Sequence, residues 1–394
     1  MPQNAPPSLP EPDEASRLHS ERVAAFIRQY IDSSGGRISF AEFMHLALYA
    51  PGLGYYAAGA TKFGPAGDFI TAPEVSEVFG AVVARQCVEV LDVLGGGSVL
   101  EIGAGSGKLA ADMLHAFERL GSVPVTYQIL EVSADLRDRQ QTCLQERVPH
   151  LVDRVEWLAD LPDAHRGVIV ANEVLDALPV ERFIRREDGI YRQSVRTVDA
   201  GFGWVEEVAG DQLSRSVTAI ESDLGRALPD GFTSEVSLAA SNWIADISHS
   251  LTAGVVFLFD YGVSRREYYA AERSDGWLRC HFRHHAHNDP LILVGIQDLT
   301  AWVDFTAIAE AASAVELEIA GFSAQAQFLI SGGLEAAMTG AESLPLEHQV
   351  ELSQQIKTLT LPGEMGENFK CLALRRGDIP APSGFALADR THTL

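Results

Sequence analysis

Four cysteines in 394 residues are too few and too scattered to frame a disulfide scaffold. Cys87, Cys143, Cys280 and Cys371 form no C-x-x-C pair, which also speaks against a Cys-rich zinc site. No apolar run approaches the ~20 residues of a membrane span. Basic residues are scarce: 30 Lys and Arg stand against 54 Asp and Glu, a formal net charge of −24. That balance repels phosphates and disfavours nucleic acid as a partner, while suiting a basic, arginine-bearing protein segment. Residues 1–20 are Pro-rich and acidic. They have neither the apolar core of a secretory signal nor the Arg-rich, acid-poor character of a transit peptide, so they read as a disordered tail on a cytoplasmic chain. No internal repeat is visible. What the chain does have is apolar content, 46% hydrophobic, enough for a large core and more than one minimal fold needs.

The N-terminal third is helical in pattern. Residues 17–33 place Val23, Phe26, Ile27 and Tyr30 on one stripe. Ser39 and Glu42 form a capping box for a helix through Leu48, and Thr71 and Glu74 form a second one, with Pro73 in the first turn. The helix that follows carries Val75, Val78, Phe79, Val82, Val83 and Val90, and Gly95–Gly97 closes it. From residue 98 to about 179, strands alternate with helices, the pattern of a mostly parallel sheet covered on both faces. Residues 180–208 look like an inserted β-hairpin with Asp188-Gly189 at the turn. A helix near 236–251 precedes an apolar strand, 255–260, and a long irregular segment, 261–296. A helix near 300–320, a strand over 322–330, a helical excursion over 333–360 and a last strand, 369–374, complete the pass.

The most informative segment is Ser98-Val99-Leu100-Glu101-Ile102-Gly103-Ala104-Gly105-Ser106-Gly107-Lys108-Leu109. A strand feeding a tight Gly loop and then a helix brings backbone close to a nucleotide-like ligand. The spacing G-x-G-x-G differs from the dinucleotide pattern G-x-G-x-x-G. A phosphate-binding P-loop is also excluded, because position 102 is Ile and Leu109 stands where Ser or Thr would hold magnesium. A second acid, Glu131, ends the next strand, 24 residues after Gly107, where a carboxylate can grip ribose hydroxyls. The acid-then-three-glycines pattern resembles motif I of class I S-adenosylmethionine methyltransferases, whose cofactor has no phosphate. In that fold the loop after the third strand lies beside the adenine, which makes Asp160 a candidate acceptor. The helix start at Thr71–Glu74, with Pro73, is a candidate for the methionine carboxylate, and Asp68 for its ammonium.

Further blocks carry chemistry-rich residues: Gly67–Glu74, Ala171–Pro179, Leu278–His285, Gln297–Thr300, Val303–Phe305 and Pro362–Lys370. With the Gly loop, and in this order over about residues 20–376, they resemble the MidA-like family, which includes the mitochondrial complex I assembly methyltransferases. The resemblance implies a class I methyltransferase, an α/β Rossmann-like fold with a mostly parallel sheet, an antiparallel edge, N-terminal helices and insertions. It implies S-adenosylmethionine as cofactor, held by Asp68, Thr71, Pro73, Glu101, Gly103, Gly105, Gly107, Glu131, Asp160 and Asn172. It further implies arginine methylation on a protein partner, in the mitochondrial members a subunit of respiratory NADH dehydrogenase. Glu173 and Asp176 are the candidate catalytic carboxylates, since bidentate acceptors can orient a guanidinium. One departure stands out: Val174 and Leu175 lie where many members carry two aromatics. His284, Gln297 and Asp298 are expected to shape a substrate groove, with Arg283 packed nearby. The cluster of Cys280, His281, His284, His285 and His287 matches no common zinc spacing, so no metal is assigned.

The expected organisation is a tail over 1–20, a helical and cofactor-lid region over 21–97, and a methyltransferase domain over 98–376. That domain carries insertions at 180–208, 261–296 and 333–367, and a C-terminal tail spans 377–394. The apolar stretch 333–345 is the candidate surface for a homodimer contact. Two rival readings accompany this one: a small-molecule methyltransferase, and an assembly chaperone that binds the cofactor without turnover.

Overall fold

The computed structural model describes residues 9–57, 71–199 and 201–394. They form two compact units, each built from three separate stretches of chain. The first unit takes 9–57, Ala177–Ala239 and Arg265–Trp302. The second takes 71–176, Ala240–Ser264 and Val303–Leu394. The boundaries therefore differ from those expected: the helix Glu77–Leu94 belongs with the methyltransferase sheet and not with the N-terminal helices.

In the second unit, seven strands run in the order Val155–Leu158, Tyr127–Leu130, Ser98–Ile102, His165–Asn172, Leu251–Val263, Phe369–Arg376, Glu318–Ala324. Counted along the chain this order is 3-2-1-4-5-7-6. The first five are parallel, and Phe369–Arg376 runs antiparallel to both neighbours. The short strand Val303–Asp304 lies parallel to the end of Leu251–Val263. The central strands are apolar without alternation, as a sheet covered on both faces requires: Val168–Ala171 and Val255–Phe259 are all buried. Phe79, Val83, Leu114 and Phe117 from the helices close one continuous core with Val99, Val168 and Phe257.

Several expectations over 300–394 need correction. The helix expected near 300–320 is shorter, Phe305–Ala314, with Asp304 as its N-cap. The apolar run 322–330 is not one strand: Glu318–Ala324 is the strand and Gln325–Ser331 is helical. A short apolar run fits either period, and here it spans both. Residues 377–394 are no free tail. Ile379 and Phe385 are buried, and the Arg390 N–H donates to the Phe322 carbonyl at 2.6 Å.

The first unit holds a five-stranded antiparallel sheet, with the helices Glu14–Ser33, Phe40–Tyr49 and Asp211–Leu224, and a separate three-stranded sheet. The expected hairpin over 180–208 is part of the larger sheet, whose strands include Glu181–Arg186, Gly189–Val198, Gly201–Val208 and Thr233–Val236. Its first turn falls on Glu187-Asp188. The N-terminal helix begins at Glu14, because Asp13 accepts the Ser16 N–H at 2.8 Å, so residues 14–20 are helical and not tail. The Ser39–Glu42 capping box forms as read. The segment 261–296 is more ordered than expected. It contains the strands Leu278–Phe282 and His285–His287, joined by a two-residue turn. Among the described residues no helix is long and apolar enough to cross a membrane.

Candidate active site

The Gly loop sits where the strand order reverses, between Ser98–Ile102 and His165–Asn172, the position at which α/β sheets bind ligands. Gly103, Gly105 and Gly107 all have positive φ, 70°, 53° and 84°. At two of them a Cβ would also meet protein neighbours. A Cβ at Gly107 would lie 2.9 Å from the Gln140 Cα, and one at Gly103 would lie 3.1 Å from the Val174 Cγ2. The helix after the loop starts at Lys108 with Gly107 as its N-cap. The Ser106 hydroxyl donates to Glu74, so the loop and the 71–75 segment, which holds the buried Thr71 and Pro73, come together. Thr71 does not form the expected capping box. Its helix is only Ala72–Val75, and Ser76 caps the longer helix behind it. Asp68 lies outside the described residues.

Glu101 is buried beneath the loop and accepts the Tyr127 hydroxyl at 2.6 Å. Burial pushes its carboxyl up to about 7 against the pull of that hydrogen bond, and the charges of Asp112 and Glu131 push the same way. Glu131 is 7% exposed. One oxygen accepts the Ser133 N–H at 2.8 Å and the other the Gln140 amide at 3.1 Å. Each oxygen keeps a further lone pair, so both remain able to accept a ribose hydroxyl. Burial raises this carboxyl above its ordinary value. Asp160 is exposed, two residues past the end of Val155–Leu158.

The loop after His165–Asn172 holds the candidate catalytic carboxylates. Glu173 adopts φ 54°, left-handed for a residue with a side chain, at a cost of about 1–2 kcal/mol. Its N–H donates to the Phe259 carbonyl at 2.8 Å. Its carboxylate accepts the Asn172 amide at 3.2 Å. The Asn172 Oδ1 is buried without a partner among the described residues. Asp176 is buried, whereas Glu173 is half-buried. Sequence reasoning missed what holds this loop. Asp260, 1% exposed and three residues before the end of the neighbouring strand, accepts the N–H groups of Leu175 at 2.8 Å and Asp176 at 3.2 Å, and of Tyr261 at 2.9 Å. Burial and the nearby Glu173 charge push the Asp260 carboxyl well above the usual range. The available signal was an acid closing the fully apolar run 255–259.

The expected groove residues belong to the first unit and differ in setting. His284 is exposed at the hairpin tip with φ 62°, next to Arg283 at 49°. A two-residue hairpin turn of this type needs positive φ at both positions, whatever residues stand there. Arg283 pairs with Asp13. Gln297 and Asp298 are each 1% exposed. The Gln297 amide holds the carbonyls of Pro290 and Ile292 at 3.1 and 2.6 Å, and Asp298 accepts the Tyr56 hydroxyl at 2.8 Å. These contacts make Gln297 a loop clamp. Burial, with the charges of His287 and Arg279, lowers His281 to about 4. Among the described residues no group of three or more His, Cys, Asp or Glu side chains is arranged to hold a metal ion.

Residues 82–323 match the family model described as "Putative S-adenosyl-L-methionine-dependent methyltransferase". The chain belongs to this methyltransferase family. It is similar to the mitochondrial protein arginine methyltransferase NDUFAF7 homolog of Drosophila melanogaster, at 30% identity over 95% of this chain and 90% of the relative. The human protein arginine methyltransferase NDUFAF7 is 29% identical over 88% and 81%. A crystal structure of a COG1565 superfamily member from Burkholderia thailandensis, bound to S-adenosyl-homocysteine, superposes with a TM-score of 0.93. It is 38% identical and covers 98% of this chain and 100% of that one. The chain is thus an S-adenosylmethionine-dependent methyltransferase. Its own residues fit that cofactor: a Gly loop at the switch point, a buried acid with spare lone pairs at Glu131, and an unpartnered buried oxygen on Asn172.

Proposed function

We propose that this methyltransferase modifies an arginine side chain of a protein partner. The observation that carries the reading is the 172–176 loop, where Glu173 is held in a left-handed conformation at the ligand-binding end of the sheet. The names of the relatives, protein arginine methyltransferases, support the same acceptor. The cofactor supplies an already activated methyl group on a sulfonium. What the protein must do is position the acceptor and manage its charge.

A guanidinium is protonated at any working pH and is a poor nucleophile. Glu173, accepting its N–H groups, would draw the positive charge to one side and aim the remaining nitrogen at the methyl carbon. The N–C bond then forms as the C–S bond breaks, S-adenosyl-homocysteine leaves, and the methylated guanidinium releases a proton to solvent. Asp176 is buried and braced through its backbone, so its part is to shape the loop or to meet the far side of the guanidinium. In keeping with the MidA-like resemblance, we place the partner among subunits of respiratory NADH dehydrogenase.

Glu173→Gln tests the reading. It should lower kcat for methyl transfer by about a hundredfold, the scale of losing one transition-state contact, while the S-adenosylmethionine Kd stays within about threefold. Unchanged transfer by Glu173→Gln would remove Glu173 from the chemistry.

A further inference from the structure

Gln140 is a polar residue on an apolar stripe. In the helix Ala134–Arg147 the buried positions are Leu136, Gln140 and Leu144, and Gln140 is fully buried. Its side-chain amide makes three hydrogen bonds to three different segments. Its Nε2 donates to the Gly105 carbonyl at 3.2 Å and to Glu131 at 3.1 Å. Its Oε1 accepts the Trp157 indole N–H at 3.0 Å. Two acceptors and one donor fix the amide's orientation, because the flipped amide would set N–H against N–H and oxygen against oxygen. Gly107 lets this happen, since a Cβ there would run into the Gln140 backbone and side chain.

The three partners belong to three cofactor-binding segments. Gly105 is the centre of the Gly loop, Glu131 is the acid after the second strand, and Trp157 lies in the third strand, ahead of Asp160. We infer that Gln140 is a positioning residue that locks these segments into one register and so sets affinity for the nucleoside half of the cofactor. This rests on Glu131 gripping the ribose, which is separately testable. Gln140 touches no reacting atom. Its effect is on where the Glu131 carboxylate and the Gly105 backbone point.

The test is calorimetric titration of the full chain with two probes, S-adenosyl-homocysteine and 5′-methylthioadenosine, which keeps the nucleoside and lacks the amino acid. Gln140→Met preserves length and removes all three hydrogen bonds. It should weaken both probes by the same factor, about tenfold. In turnover, KM for S-adenosylmethionine should rise with kcat unchanged, a split that general loosening of the fold would not produce. Gln140→Met combined with Glu131→Gln should weaken binding by less than the product of the two single losses, because part of the Gln140 effect acts through the Glu131 carboxylate. If Gln140→Met does not fold, Trp157→Phe removes a single donor to the amide and should weaken both probes equally. Binding of both probes within twofold of wild type by the folded variant would overturn the inference, as would loss confined to S-adenosyl-homocysteine. Wild-type binding by Glu131→Gln would overturn the ribose reading and the inference with it. Loss in Glu131→Gln with none in Gln140→Met would overturn the inference alone.

Discussion

Glu101 closes its strand with a carboxyl that burial pushes up to about 7, and this has a consequence for stability. The folded state holds this proton more tightly than the unfolded chain does. The stability linked to it is complete below the ordinary carboxyl value and is lost as pH rises through about 7, an effect of at most about 3 kcal/mol. Glu101→Gln should therefore flatten the fall in melting temperature between about pH 5 and pH 8. Parallel pH curves for the two proteins would refute the burial argument. Gly107→Ala should cost about 1–3 kcal/mol of stability, since it adds a clash to a left-handed φ of 84°. At this scale the Gly loop and Glu131 were legible, because acid, glycines and spacing are all local in sequence. Gln140 and Asp260 were not. Gln140 reaches as far as Gly105, 35 residues away, and Asp260 as far as Leu175, 85 residues away. Only a polar residue on an apolar stripe, or closing an apolar run, gave any hint.

Strands and helices hold the site together through a few end contacts. Asp260, three residues before the end of the strand Leu251–Val263, accepts two N–H groups of the 172–176 loop. Asp260→Ala would leave them buried without acceptors, at about 1–3 kcal/mol each. It should lower kcat while leaving S-adenosyl-homocysteine affinity near wild type, measured by steady-state kinetics and calorimetry. Loss of cofactor affinity in step with kcat would show instead that the whole sheet end had moved. The parallel strands and the Ser39–Glu42 capping box were readable because apolar runs and short-range caps are local signals. The 322–330 run misled because one apolar stretch serves first a strand and then a helix. The 261–296 segment hid a hairpin because Arg283-His284 replaces the usual Gly-containing turn.

For the whole molecule, sequence order concealed the division into two units. Each is assembled from three stretches, and an insertion read in isolation does not show that it shares a sheet with residues near the N-terminus. The pairing of Ile38 with Val195 is such a link, and nothing in either segment announces it. The net charge of −24 acts at the same scale. Transfer to a basic, arginine-bearing acceptor should slow as ionic strength rises, through kcat/KM more than kcat. The central claim is that the methyl group ends on arginine. The most direct measurement is mass-spectrometric mapping of the labelled residue after the full chain, labelled S-adenosylmethionine and an NADH dehydrogenase subunit preparation are incubated together. The account predicts label on an arginine guanidinium, greatly reduced with Glu173→Gln. Label on another residue type, or only in the small-molecule fraction, would contradict it.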